Sequence, residues 1–204
     1  MIDLQNKYKK QTQLAAAGLG LVCASIALHA YDVFFSSPFS GLASTLVLPV
    51  VTTLAALLGK ALCTQLAAYL GGGSEINKSL GMDILALCLG LPVMLQMVNL
   101  FSATSGWLAL GSGLCSLMGF LFFLSYLRET SMALEDSMLT RVAEKLISYF
   151  WILFAMVFGA IVMVFIPVLG ALYLKLLYAL ICAWGVTYLF LLGSLCKKLF
   201  QAIS

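Results

Sequence analysis

Six apolar runs, separated by short polar or turn-forming stretches, dominate the chain: about 14–35, 42–70, 83–102, 107–126, 147–166 and 172–195. Each is long enough for a helix to cross a hydrocarbon layer of about 30 Å, which takes about 20 residues. In lipid every backbone N–H and C=O must be satisfied internally, and a helix does this within one continuous run. The predicted fold is therefore all-α, a polytopic transmembrane helical bundle of six spans forming one membrane domain over 1–204. Composition closes off the soluble alternative. The chain is 63% hydrophobic and 9% charged, with mean hydropathy +1.08, whereas soluble domains carry about 25% charged residues.

The stretch 127–146, LRETSMALEDSMLTRVAEKL, is the longest internal segment that favours water. Its charged residues are Arg128, Glu129, Glu135, Asp136, Arg141, Glu144 and Lys145. Leu134, Met138, Val142 and Leu146 recur at helical spacing, which predicts an amphipathic interfacial helix leading into the fifth span. The polar stretch 71–79, GGGSEINKS, reads as a flexible loop between the second and third spans.

Lysine and arginine set the orientation, because they resist translocation. Lys7, Lys9, Lys10, Lys78, Arg128, Arg141, Lys145, Lys197 and Lys198 all fall in the N-terminal segment, the 71–79 loop, the 127–146 segment or the C-terminal segment. The opposite connections, Ser36 to Ser40, Ala103 to Gly106 and Pro167 to Ala171, carry none. Both termini are therefore expected in the cytoplasm. Lys60 and Lys175 depart from the rule, and each has a stem long enough to snorkel. The basic start before the first run resembles a signal peptide, but the run's length favours a retained span. The short outer connections fit a bacterial inner (plasma) membrane best.

Every run carries small residues four apart: Ala16, Gly20 and Ala24; Ala55, Gly59, Cys63 and Ala67; Ala86 and Gly90; Gly111, Cys115 and Gly119; Ala155 and Gly159; Ala179, Ala183 and Thr187. Such stripes let helix backbones approach closely, and together they predict a single bundle. The bilayer is the first expected partner. These faces and the 127–146 segment are the expected contacts for a protein partner or a second copy.

Ionisable groups inside spans are costly and often mark function. His29 and Asp32 share a face near the outer end of the first run, and Lys175 is placed to meet them in a possible outer polar cluster. Lys60 and Asp83, near the inner ends of the second and third runs, are a possible ion pair. Gln96 and Asn99 are candidates for interhelical hydrogen bonds. Pro49 and Pro92 would free the carbonyls of Thr45 and Cys88. Met94 and Met97 suggest a soft-metal pair, although packing explains them as well.

Other chemistry is poorly served. The six cysteines lie within apolar runs, with no CxxC pair, so neither a disulfide framework nor a zinc site is expected. One histidine cannot supply two haem ligands within a chain. No GxxxxGK[ST], HExxH or GxSxG motif occurs. No catalytic residue, cofactor or metal is expected. A net charge of +3, thinly spread, does not suit nucleic acid. The leading expectation is a non-enzymatic accessory or scaffold subunit. A small transporter or channel with an intramembrane polar site is the alternative, and a membrane-embedded enzyme the third. Charged groups pointing into a cavity would favour transport, and a filled, dry core would favour a scaffold.

Overall fold

The computed structural model describes residues 9–35, 48–70, 73–97, 106–163 and 167–201. They form six helices: α1 Lys9–Phe35, α2 Leu48–Leu70, α3 Gly73–Met97, α4 Gly106–Ala133, α5 Ser137–Met163 and α6 Pro167–Gln201. No strand occurs among the described residues, so the all-α bundle holds. Five helices, α1 to α4 and α6, are long and apolar enough to cross a membrane. The first turns of α5 carry Arg141, Glu144 and Lys145, and its uninterrupted apolar run starts at Leu146.

Successive helices pair antiparallel. Ala15 and Gly18 of α1 meet Cys63 and Gly59 of α2. Ser79 and Ala86 of α3 meet Gly119 and Ser112 of α4. Along α5, Asp136 (just before its first turn), Leu146 and Met156 meet Lys198, Trp184 and Tyr173 of α6 in reverse order. The α5–α6 pairing therefore extends well past the charged first turns of α5. The hairpins are held together at the end that carries the α4–α5 turn. All six helices contribute to one buried cluster there, including Leu19, Leu66, Ile76, Tyr126, Leu146 and Leu195. Around Phe120, the rings of Phe150, Trp184 and Tyr188 lie with centroids 5.0–6.0 Å away, joining α4 to α5 and α6.

Three sequence expectations need correction. Residues 73–79 are not a loop, because α3 begins at Gly73. Glu75 sits in its first turn, where a carboxylate favours the helix dipole, and pairs with Lys78 at 2.7 Å. Ile76 and Ser79 meanwhile face the core, so the polar residues are the wet face of a helix.

The 127–146 segment is not one amphipathic helix. It is the end of α4, a turn at 134–136, and the start of α5. The turn is a paired cap. Asp136 N–H donates to Ser131 O at 3.1 Å and Glu135 N–H to Met132 O at 2.9 Å, the bonding of a Schellman ending. Glu135 occupies the left-handed position at φ 55°, where glycine is usual. Asp136 then caps α5, its Oδ1 accepting from the N–H groups of Met138 at 3.0 Å and Leu139 at 3.1 Å. Of the predicted stripe, Leu146 is buried and Leu134 and Val142 pack half-buried against the core, whereas Met138 is exposed and Leu139 and Ala143 complete the buried face.

The third correction concerns Pro49. It lies in the first turn of α2, where a missing N–H costs little; Thr45 falls outside the described residues. Pro92 is inside α3, as expected.

Asp136 also pairs with Lys198, so one carboxylate ties the turn to the end of α6. Lys198, then the Leu139 N–H, hold its pKa below the usual carboxylate value. A depressed carboxylate contributes stability that is fully present above its unfolded pKa, about 4, and is lost as pH falls through the folded value. Comparing thermal unfolding in detergent, the advantage of wild type over Asp136→Asn should be constant at neutral pH and shrink as pH drops below about 4. Asp136→Ala should cost about 1 kcal/mol more than Asp136→Asn at neutral pH, through loss of the cap.

Candidate functional site

Lys60 and Asp83 reach each other from α2 and α3 and form an ion pair. Their side chains are 8% and 18% exposed, so the pair lies within the bundle rather than at its rim. Ser79, one turn before Asp83, brings a third group. Lys60 Nζ donates to Ser79 Oγ at 3.0 Å, and Ser79 Oγ donates to the Gly119 carbonyl of α4 at 2.6 Å. The Phe123 ring lies 4.9 Å from Lys60 Nζ, completing the ammonium's surroundings with a cation–π contact.

Glycine at 119 makes room for this geometry. A Cβ there would collide with Asp83 Oδ1 and approach Ser79 O to 3.2 Å. The small residues of α3 and α4 serve the same close approach. Ser112 Oγ donates to Ala86 O at 2.8 Å, and a Cβ on Gly90 would stand 2.8 Å from that hydroxyl.

Beyond the pair, a cavity of about 290 Å³ opens between α2, α3 and α4. Lys60 and Asp83 line it together with Thr53, Ser112, Ser116 and Phe120. It continues past Ala86 to Gly90, away from the α4–α5 turn. Three hydroxyls and a charged pair thus share one space in a bundle whose other contacts are mostly apolar. Such a space can exchange an internal ion pair for contacts with a charged or polar solute, or relay a proton between carboxylate and hydroxyls.

Lys175 lies exposed on α6. His29 and Asp32 belong to α1, but their side chains, like that of Gln96, lie outside the described residues, as does Asn99. Met94 and Met97 are in the same position. Among the described residues no three His, Cys, Asp or Glu side chains gather as a metal site. All six cysteines are free thiols.

Ser79 and Phe123, which contact Lys60, and Gly119, which accepts from Ser79, carried little signal in the sequence. Ser79 was hidden because its stretch read as loop. Gly119 was visible only as one small residue in a stripe. Phe123 carried no signal, since one phenylalanine in an apolar run resembles any other.

The fold defines a class: this is a polytopic, all-helical integral membrane protein. Compared with protein-family models, curated proteins and solved structures, the chain matches none.

Proposed function

We propose that the chain crosses the membrane six times, with both ends and the α4–α5 turn on the cytoplasmic side, and that it is a small carrier or channel for a polar solute. Lys60 and Asp83 are its intramembrane site. One observation carries the reading. The pair lines a cavity that it shares with the hydroxyls of Thr53, Ser112 and Ser116, set among apolar neighbours such as Leu57, Leu87 and Phe120. Charge in a membrane interior is costly, and where only packing is needed two apolar residues of similar size serve as well. An ammonium and a carboxylate in one small space match a solute bearing both charges, such as a small amino acid, which enters by replacing the internal contacts. The pairing of α5 with α6 supports the sixth crossing, because a helix lying antiparallel along a span crosses with it. The short outer connections favour a bacterial inner membrane.

The test is flux into proteoliposomes, using glycine as the small zwitterion and a trapped pH-sensitive dye for protons. Wild type should carry at least one of them above empty vesicles, and Asp83→Asn should lose it while remaining folded. Lack of flux for both in folded wild type would count against the reading.

A second reading, an accessory subunit, is favoured by the satisfaction of the pair: Lys60 already has Asp83, Ser79 and the Phe123 ring. It requires a stoichiometric complex after gentle extraction from the native membrane, where a carrier would run alone or as a small homo-oligomer.

A further inference from the structure

We infer that the groove between α5 and α6 seats an acyl chain of an anionic phospholipid, with Lys145 holding the headgroup phosphate. The groove has a volume of about 310 Å³ and lies between the two helices near the α4–α5 turn. Its shape comes from sequence. Ala183 and Thr187 of α6 are too small to fill the space that Tyr149 and Ile152 of α5 flank, and Trp184 forms its floor. Ala179, Ala183 and Thr187 were expected to pack helix on helix, but all three are exposed. Tyr149 and Ile152 are 53% and 55% exposed, so the flanks face outward as well.

The charge pattern selects the occupant. Lys145, with Val142, lines the end of the groove nearest the turn, and Arg141 lies one helical turn before Lys145. Both are exposed, and neither forms an ion pair among the described residues. An apolar channel parallel to the helices with cationic charge at one end complements a molecule with an apolar tail and an anionic head. Juxtamembrane lysine and arginine attract anionic lipid in this way. A second copy related by a two-fold axis along the membrane normal fits less well, because it brings its own Lys145 to the same level.

Trp184 is a built-in reporter. The chain has three tryptophans, so Trp107→Phe with Trp151→Phe leaves Trp184 alone. Reconstitution into phosphatidylcholine–phosphatidylglycerol vesicles with bromine on the acyl chains of one lipid at a time then measures which lipid occupies the groove. Brominated phosphatidylglycerol should quench Trp184 about three- to fivefold more effectively than brominated phosphatidylcholine. Lys145→Gln should bring that ratio to about one without abolishing quenching. Ala183→Leu, which fills the groove, should reduce quenching by both lipids. Equal quenching in the parent protein, or a ratio unchanged by Lys145→Gln, would overturn the inference. Absence of quenching by either lipid, as when protein covers the groove, would overturn it too.

Discussion

Asp83→Ala should destabilise the bundle by about 3–5 kcal/mol, the cost of leaving one partner of a buried pair uncompensated. Lys60 would retain only the Ser79 hydroxyl and the Phe123 ring, and neither balances its charge. The same reasoning gives a sharper expectation for the double change. Lys60→Met with Asp83→Leu removes both charges and keeps most of the volume, and such exchanges are often neutral or stabilising. Thermal unfolding in detergent should therefore rank Asp83→Ala far below wild type and the double variant close to it. Flux should follow a different order, absent in both. A double variant as unstable as Asp83→Ala would contradict the electrostatic explanation. A double variant that is stable and retains flux would show that the pair serves packing alone.

The second large effect is expected where α1 crosses α2. A Cβ on Gly59 would stand 2.6 Å from Gly18 O and 2.8 Å from Val22 Cγ2. A Cβ on Gly18 would collide with Gly59 O in turn. The obstacles include backbone, which cannot swing aside as a long side chain does, so the helices must separate. Gly59→Ala and Gly18→Ala should each cost about 1–3 kcal/mol, as overpacking does. The double variant should cost less than their sum, because both act on one contact. Gly20→Ala is the control. Nothing lies within 4 Å of a Cβ at Gly20, so the higher helix propensity of alanine should leave stability unchanged or raise it by up to about 1 kcal/mol. Melting temperatures of the four variants and of wild type in one detergent check the ranking.

That comparison also marks how far the sequence could be read. Apolar run length was enough to show that the chain is helical, since lipid leaves the backbone little alternative, but not where α3 and α5 begin. The meeting of Lys60 and Asp83 was legible because two charges in apolar runs on either side of a short connection have few other partners. The face of α1 was not legible. Ala15 and Gly18 meet α2, with Leu19 and Val22 buried beside them, whereas of the stripe Ala16, Gly20 and Ala24 only Ala16 is buried, against α6, and Ala24 is exposed. Only the position of α2 decides between the two faces.

The α4–α5 turn was hidden for a different reason. Helix endings are usually announced by glycine or asparagine at the left-handed position, and here Glu135 occupies it. The stronger signal was Asp136, a carboxylate two residues before Met138 and three before Leu139, which is the spacing of an N-cap. The start of α3 was likewise present as Glu75 and Lys78 at helical spacing, with Ile76 and Ser79 turned to an adjacent, buried face, but three consecutive glycines masked it. In both places local polarity suggested loop, while tertiary contacts on the other side of the helix determined the outcome.

The most direct test of a polar site inside the bundle is the reactivity of Ser116→Cys in a protein whose six native cysteines have been replaced. Ser116 lines the Lys60–Asp83 cavity, whereas Leu114, on the same helix and 50% exposed, does not line it and serves as Leu114→Cys for comparison. In membrane vesicles, a charged, membrane-impermeant thiol reagent should modify Ser116→Cys and leave Leu114→Cys untouched, while an apolar maleimide should modify Leu114→Cys. Modification of Ser116→Cys by the apolar reagent alone would mean that lipid rather than water reaches the cavity, and would contradict a polar-solute site at Lys60 and Asp83.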